Sequence, residues 1–243
     1  MQQYFGIKKE KETLFLDEYD LNHIKNVMRF KEGDKVFVVY EKVRYLCEFN
    51  KDFLSVNIID KLDTMNETPV IAYVPILQEE KMHFILEKGT ELGVTEFIPI
   101  EFIRCKYRLD NKGKEKKLIR WKKICKEAAE QSRRNIVPEV SSILKIADIK
   151  KKTDVNILCS LDKENVKRIK DVLNSDNIHG TISMLFGPEG GITEEEEKIL
   201  EDKGFTKTSL GNTVLRTETV IVNVMSIINY LRMWSIWVIG KNL

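Results

Sequence analysis

The sequence is poor in the residues that build metal centres and disulfide frameworks. Its 243 residues include four cysteines and three histidines, and no two cysteines have the CxxC spacing. Structural zinc sites usually require such pairs, and secreted disulfide scaffolds contain far more cysteine for their length. We therefore expect no bound metal, and reduced, buried thiols in a cytoplasmic protein. The cysteines are Cys47, Cys105, Cys125 and Cys159.

An excess of one charge sign is also absent, since 40 Lys and Arg residues are balanced by 38 Asp and Glu residues. This balance gives no whole-chain argument for nucleic acid binding, so any basic surface must be local. The N-terminus has no apolar signal segment. The apolar run 220–239 is interrupted by Asn223, Asn229 and Arg232. It therefore predicts a buried helix rather than a membrane span, and we expect no membrane partner.

The phosphate-loop patterns GxxxxGK[ST] and GxGxxG are missing, yet one glycine-rich loop is placed to bind a ligand. The apolar run 182–186 predicts a buried strand, which Gly187-Pro188 ends. Gly190-Gly191 removes two side chains, so that a ligand can approach the backbone closely. Thr193 and Glu196 have the capping-box spacing and predict the start of a helix that ends near Gly204.

The first turn of this predicted helix argues against an anionic ligand. Glutamates fill positions 194–197, where they suit the helix dipole but repel a phosphate. The loop therefore favours a neutral or cationic ligand held by backbone groups. For this loop alone, a tight turn without any ligand is an equal alternative.

A second loop, residues 209–219, follows a strand-like run at 205–210. The two loops, Gly187-Pro188-Glu189-Gly190-Gly191 and Leu210-Gly211 through Leu215-Arg216-Thr217-Glu218-Thr219, resemble the GPEGG and LGxxxLRTET signatures of the RsmE family. These are 16S rRNA (uracil-N3) methyltransferases of the SPOUT superfamily. Asn212-Thr213 departs from the family, where a proline and an arginine are common.

The resemblance implies S-adenosylmethionine as the methyl donor and assigns roles to the loop residues. Uracil N3 carries a proton, so Arg216 is expected to stabilise negative charge developing on the base. Glu189 or Glu218 is expected to accept the proton or to hold Arg216, and the sequence leaves this choice open. The expected cofactor-binding residues are Leu185, Gly187, Gly190, Leu210, Gly211, Asn212, Leu215 and Thr217.

The chain is expected to form two domains with different patterns. Residues 1–68 contain β-type runs at 35–40, 45–49 and 54–59, and the stretch 23–34 resembles the HxxxVLRxxxGD element of a PUA-like RNA-binding barrel. In that resemblance Arg29 contacts RNA; otherwise it is a surface arginine beside a turn. Residues 69–243 alternate strands and helices, which indicates an α/β domain with a mostly parallel sheet.

The expected elements of the second domain are strands at 69–77, 96–100, 155–159, 182–186 and 205–210, and helices at 79–92, 114–134, 163–173, 193–204 and 220–239. The resemblance implies that this domain is a SPOUT methyltransferase domain with a C-terminal trefoil knot and that the chain acts as a homodimer. General rules of chain topology disfavour knots, so this expectation rests on the resemblance alone.

A basic segment at 104–126 indicates a local surface for RNA, although a solvated helix face is the commoner explanation of such a run. Arg104 lies where the family has an ERS motif, from which Ile103 and Cys105 depart, and Arg134 lies in a stretch resembling EAxEQSxR. The expected RNA-binding residues are Arg29, Arg104 and Arg134, with 16S rRNA in the assembled 30S subunit as partner.

Three alternatives remain open at this point. The chain could be a non-catalytic RNA-binding factor in ribosome assembly, or a SPOUT methyltransferase that acts on another base. It could also be a nucleotide-binding enzyme of the ordinary doubly wound type, against which the acidic helix start argues.

Overall fold

The computed structural model describes residues 1–51, 54–62, 64, 67–150, 153–162 and 165–239, with side chains described as far as residue 233 in the last helix. Its contacts divide the chain into two compact units. The first consists of Met1–Asn66 and Glu127–Val137, and the second of Glu67–Lys126 and Pro138–Leu243.

The first unit contains a closed five-stranded barrel with the strand order β1-β2-β5-β4-β3. The barrel closes where β1 pairs in parallel with β3, which leaves no free edge. Along β4, the side chains of Tyr45, Cys47 and Phe49 alternate inward and form part of the barrel core. The strands are β1 Gln3–Glu10, β2 Thr13–Leu16, β3 Lys35–Tyr40, β4 Val43–Phe49 and β5 Ser55–Lys61.

Between β2 and β3, a short helix continues into one π-helical turn. Helix α1 (Glu18–His23) begins at Asp17, whose side chain accepts a hydrogen bond from Asp20 N at 2.8 Å. The π-helix Ile24–Met28 ends at Arg29, which is exposed and has the left-handed φ of 53°. A non-glycine residue in this conformation after a π-turn is uncommon and often marks a functional position.

The second unit is built on a parallel sheet with the order β11-β13-β10-β12-β6-β7-β8, and β9 also pairs with β7. Every described pair in this sheet is parallel, which confirms the expected α/β architecture. The strands are β6 Val70–Pro75, β7 Glu96–Glu101, β8 Glu139–Val140, β9 Leu144–Lys145, β10 Val155–Cys159, β11 Lys167–Arg168, β12 Ile182–Phe186 and β13 Thr206–Ser209.

Two helices of this unit, α2 and α6, pack closely on each other. Asn229 Nδ2 donates to Leu92 O at 2.8 Å, and a Cβ on Gly89 would lie 2.7 Å from Ile221 Cδ1. Glycine at position 89 therefore allows the two helices to approach this closely.

Among the described residues, no helix is long and apolar enough to cross a membrane. Beside a 3-10 turn at Ile146–Asp148, the helices are α2 Glu79–Glu91, α3 Asn111–Gln131, α4 Ile169–Val172, α5 Glu194–Asp202 and α6 Thr217–Ile239.

The expected helix at 114–134 is shifted towards the N-terminus. Helix α3 begins after Asp110, whose carboxylate accepts a hydrogen bond from Gly113 N at 2.7 Å. It ends at Gln131, because Arg133 adopts a left-handed φ of 57° and Arg134 N turns back to Ala129 O at 2.9 Å. The sequence signal that was missed is Asp110, a preferred N-cap residue three positions before Gly113.

The expected helix at 163–173 is wrong over most of its described length. Lys167 and Arg168 form β11, which pairs in parallel with Thr208 and Ser209 of β13. Only α4 is helical, and residues 163–164 lie outside the described residues. Sheet pairing with a distant strand has therefore overridden the local helical preference.

Helix α6 also begins earlier than expected, at Thr217 rather than at residue 220. Thr219 N donates to Arg216 O at 2.9 Å, so Arg216 lies immediately before the helix and Glu218 is in its first turn.

Candidate functional site

A cavity of about 630 Å³ opens at the carboxyl ends of three neighbouring strands, β10, β12 and β13. Cys159 and Ser160 border it at the end of β10, Phe186 and Gly187 at the end of β12, and Ser209 at the end of β13. Parallel sheets bind ligands preferentially at this edge, because loops from adjacent strands converge there. The two loops singled out in the sequence thus meet around one space.

The walls of the cavity combine apolar and acidic groups. Asp162 and Glu197 are its acidic residues, and none of the described residues that line it is Lys or Arg. Such a wall suits a ligand with a positive charge and an apolar part, and disfavours a phosphate. The apolar lining residues are Leu161, Val166, Phe186, Ile192, Leu210, Val214, Leu215 and Val220.

One of the two acids is held by a lysine behind it. Lys207 Nζ lies 2.8 Å from Glu197 Oε2 and 3.8 Å from Asp162 Oδ2. The hydrogen bond to Glu197 raises the pKa of Lys207 above its ordinary value, so this lysine stays charged. Glu197 is thereby fixed, while Asp162 has the more distant counter-charge.

The loop after β12 needs glycine where it borders the cavity. Gly191 has a φ of 75°, and its N–H donates to Pro188 O at 2.9 Å. A Cβ on Gly187 would lie 2.6 Å from Ile192 Cγ1. Glycine at these positions therefore lets the loop fold tightly on itself beside the cavity.

Helix α5 starts with the predicted capping box. Thr193 Oγ1 accepts from Glu196 N at 3.2 Å, and Glu196 Oε2 accepts from Thr193 N at 3.0 Å. The other oxygen of this buried carboxylate accepts from Ile103 N at 2.7 Å. The helix start is therefore bonded to the segment that follows β7.

Arg104 supports the glycine loop from the side away from the cavity. Its Nη1 lies 3.4 Å from both Gly190 O and Ile192 O, and a Cβ on Gly190 would lie 2.9 Å from Arg104 O. Gly190 does not line the cavity, so the structure gives it a packing role. That Arg104 binds RNA stays a prediction. In the structure its side chain contacts the glycine loop.

A charged cluster connects the two loops to helix α2. Lys81 Nζ lies 2.6 Å from Glu189 Oε1 and 3.8 Å from Glu218 Oε2. The hydrogen bond to Glu189 raises the pKa of Lys81, against the effect of the nearby Arg216 charge. Burial raises the pKa of Glu189, but the hydrogen bond from Lys81, a backbone hydrogen bond and the charges of Lys81 and Lys106 outweigh burial and leave that pKa below its ordinary value.

Most of the predicted cofactor-binding residues meet at the cavity. Leu185 does not, because its side chain is fully buried in the core of the second unit, and the cavity is bordered instead by Phe186, the next residue in the strand. The predicted residues that line the cavity are Gly187, Leu210, Gly211, Asn212, Leu215 and Thr217.

The other two predicted RNA-binding arginines lie in the first unit. Arg29 is exposed, whereas Arg134 is 5 % exposed and its carbonyl accepts from Gln3 Nε2 at 2.6 Å. A direct contact between Arg134 and RNA therefore stays a prediction, and it would require the side chain to leave the interior.

The site prediction did not include Lys81, Asp162, Lys207 or Cys159. Lys81 is separated from Glu189 by 108 positions, so no local pattern in the sequence indicates their contact. Cys159 lines the cavity, and burial raises the pKa of its thiol to about 12, so it is uncharged there. Among the described residues, no group of three or more His, Cys, Asp and Glu side chains is arranged to hold a metal.

Comparison with known proteins finds similarity along almost the whole chain. An RNA methyltransferase domain matches residues 64–229, and an RNA methyltransferase PUA domain matches residues 16–59. Ribosomal RNA small subunit methyltransferase E from Bacillus subtilis (strain 168) is 34% identical, and the match covers 95% of this chain and 96% of the relative. The Aquifex aeolicus (strain VF5) protein of the same name is 31% identical, with 94% and 99% covered.

A solved structure agrees with these sequence matches. The crystal structure of a ribosomal RNA small subunit methyltransferase E from Neisseria gonorrhoeae, bound to S-adenosyl methionine, superposes with a TM-score of 0.82 at 27% identity. The superposition covers 95% of this chain and 98% of that one.

Proposed function

The chain belongs to the ribosomal RNA small subunit methyltransferase E family, and on that premise we propose that it transfers a methyl group from S-adenosylmethionine to N3 of a specific uridine in 16S rRNA. The observation that carries the proposal is the cavity between the two loops. Six of the eight residues expected to bind the cofactor line it.

The residues present fit S-adenosylmethionine in size and charge. A volume of about 630 Å³ is in the usual range for sites that enclose a cofactor of this size. Leu161, Val166 and Leu215 offer apolar surface to an adenine ring, and Asp162 offers a carboxylate to a positive group. Gly187 and Gly191 place backbone groups at the cavity wall, where they can face the ligand.

When bound, S-adenosylmethionine supplies an electrophilic methyl group, and the protein must prepare the base that receives it. Loss of the N3 proton places negative charge on the uracil oxygens. Arg216 is exposed immediately before α6, between Leu215 and Thr217, which line the cavity. Its fixed charge and the positive end of the helix dipole both favour negative charge at this position.

Of the two candidate proton acceptors, Glu218 is favoured. Glu189 is bonded to Lys81 and has a lowered pKa, which makes it a weaker base. Glu218 Oε2 is buried without a hydrogen-bond partner, and Lys81 Nζ is 3.8 Å away. We therefore propose that Glu189 is structural and that Glu218 accepts the proton or directs Arg216.

We further propose that residues 1–68 form a PUA-like RNA-binding domain and residues 69–243 a SPOUT methyltransferase domain. Arg29 and Arg104 are the proposed RNA contacts, in the cytoplasm, on the 30S subunit. The matches to an RNA methyltransferase PUA domain and an RNA methyltransferase domain support this division. The structure groups residues 127–137 with the first unit, which the proposed boundary does not capture.

A trefoil knot and a homodimer complete the proposal. The strand order β13-β10-β12-β6 is not sequential, so the chain crosses over between neighbouring strands, as a knotted path also requires. The packed helices α2 and α6 expose Phe84, Tyr230 and Met233, which are 39%, 60% and 73% exposed. We propose this apolar surface as the dimer face, because a second copy would cover it.

The proposal is tested by calorimetry with S-adenosylmethionine, followed by methyl transfer to 30S subunits and to free 16S rRNA that lack the modification. We expect cofactor binding, transfer to 30S subunits, and 3-methyluridine as the only nucleoside of the digested RNA that gains the transferred methyl group. Cofactor binding with methylation of another base would correct the substrate. The absence of cofactor binding would support a non-catalytic assembly factor instead.

Arg29→Ala should weaken RNA binding without changing affinity for S-adenosylmethionine. Each lost phosphate contact should reduce the slope of log K against log salt by about 0.7 to 0.9. The matched control is Lys11→Ala, since Lys11 is also an exposed cation with a left-handed φ, at 52° against 53°. Equal salt slopes for the two variants would show that Arg29 is only a surface residue.

A further inference from the structure

One ammonium group connects three separate segments beside the cavity. Lys81 lies in the first turn of α2, and its Nζ donates to Glu189 Oε1 at 2.6 Å. The same Nζ is 3.8 Å from Glu218 Oε2, which is buried without a hydrogen-bond partner. Glu189 belongs to the loop that borders the cavity, and Glu218 follows Thr217, which lines it. Lys81 is therefore the nearest cation to both candidate proton acceptors.

Stability alone does not explain this arrangement. The side chains of Lys81, Glu189 and Glu218 are 31%, 28% and 18% exposed, and ion pairs at such partly exposed positions contribute little to folding. Their geometry has a clearer consequence. Each carboxylate reaches Lys81 from a different loop, so the lysine fixes the separation of the two loops from α2.

On the basis of the proposed methyl transfer, we infer that Lys81 is a positioning residue. It holds Glu189, and with it the 187–191 loop, against α2. It also fixes the position of Glu218 beside Arg216. The target base would meet these groups already arranged. Preorganisation of this kind affects the reaction rate more than ligand affinity, because a small misplacement of reacting groups slows the chemical step.

The charges around Glu189 determine how the loss of Lys81 should appear. Burial raises the pKa of Glu189, while Lys81 from α2 and Lys106 from the segment after β7 lower it. Glu218 and Arg216 act on Lys81 from the second loop, with opposite signs. Removing Lys81 leaves burial opposed by the backbone hydrogen bond of Glu189 and by the charge of Lys106 alone, so the pKa of Glu189 should rise. In the wild type, protonation of Glu189 breaks its bond to Lys81, so the acid limb of the rate profile should follow the pKa of Glu189. Without Lys81 no such bond remains, and this limb should be lost.

The test compares Lys81→Met and Lys81→Arg with Lys88→Met. Lys88 is a matched control, because it is on the same helix, its side chain is 34% exposed, and it bonds to two carboxylates, Glu87 and Glu91. Both of its partners are on α2, so its loss releases no loop. Single-turnover methylation of 30S subunits at saturating S-adenosylmethionine is measured across pH, together with calorimetric cofactor affinity.

We expect Lys81→Met to slow the single-turnover rate by about 10- to 100-fold and to remove the part of the acid limb that follows Glu189. Lys81→Arg should recover part of the rate, since the charge returns with a different geometry. Lys88→Met should match the wild type in rate and profile. Glu189→Gln should slow the reaction, and adding Lys81→Met to it should cost little more, because both changes break the same contact.

Three results would overturn the inference. A wild-type rate and profile for Lys81→Met would remove Lys81 from the reaction. A higher KM for RNA at unchanged kcat would make it an RNA contact. Additive effects with Glu189→Gln would show that it does not act through Glu189. If Lys81→Met fails to fold, Lys81→Arg and Glu189→Gln decide the question. If the wild type binds the cofactor but methylates no 30S subunit, it is the proposed function that fails; the three results above concern variants of an active wild type.

Discussion

Arg216→Ala should lower the single-turnover rate of methylation by about 100-fold or more, as does the loss of one oxyanion donor in other enzymes. The affinities for S-adenosylmethionine and RNA should change far less. Arg216 is exposed, its carbonyl receives the hydrogen bond from Thr219 N that begins α6, and its neighbours Leu215 and Thr217 line the cavity. A guanidinium in this place acts on charge that appears only as the base loses its proton.

Two further variants separate chemistry from position. Arg216→Lys should restore only part of the rate, because the charge returns without the planar pair of donors. Arg168→Ala is the control, since Arg168 is also exposed and also directly precedes a helix, α4. A rate near that of the wild type for Arg216→Ala would make the residue a structural or RNA-positioning group, and the catalytic assignment would be withdrawn.

Local chemistry explains which parts of the fold could be predicted. Thr193 and Glu196 are three positions apart, and their capping box forms as expected because both partners are in one turn. The apolar run 182–186 becomes β12, and 155–159 becomes β10, with the expected bounds. In these places, the residues that decide the structure are neighbours in the sequence.

The predicted elements and bounds are wrong where contacts with distant segments determine the structure. Lys167 and Arg168 carry no strand signal of their own and extend only because β13 offers them an edge. Residues 127–137 belong by their contacts to the barrel, although the chain between them and residue 66 forms part of the second unit. The residue pattern within either segment does not indicate that it packs against β13 or against the barrel.

The candidate site shows the same division. The glycines and apolar residues of the two loops were expected at one ligand, and the cavity brings them together. This expectation came from the resemblance, because nothing in the sequence of one loop indicates that the other loop lies beside it. Lys81 and Arg104 were not expected to hold the loops, because their contacts with Glu189 and Gly190 join residues 108 and 86 positions apart.

Gly190→Val should raise the Kd for S-adenosylmethionine by about 10- to 100-fold. This corresponds to about 1–3 kcal/mol, the usual cost of forcing a larger side chain into a packed position, if the cofactor binds only when the loop is in that position. A valine at position 190 would not block the ligand directly, because Gly190 does not line the cavity. A Cβ there would lie 2.9 Å from Arg104 O, which is backbone and cannot rotate away. Ile103 N is bonded to the buried Glu196, so the loop must move instead.

The displaced loop carries Gly187, Pro188 and Gly191 away from the cavity wall, which is why affinity should fall although the fold remains. Calorimetry measures the affinity, and the thermal midpoint verifies folding. Gly113→Val is the control, because a Cβ there would meet first the end of the Asp110 side chain, at 2.8 Å, and a side chain can rotate where a backbone carbonyl cannot. Adding Arg104→Ala should not restore binding, since it leaves the obstructing carbonyl in place. Recovery in that double variant, or unchanged affinity in a folded Gly190→Val protein, would show that the contact between Gly190 and Arg104 does not hold the loop in its binding position.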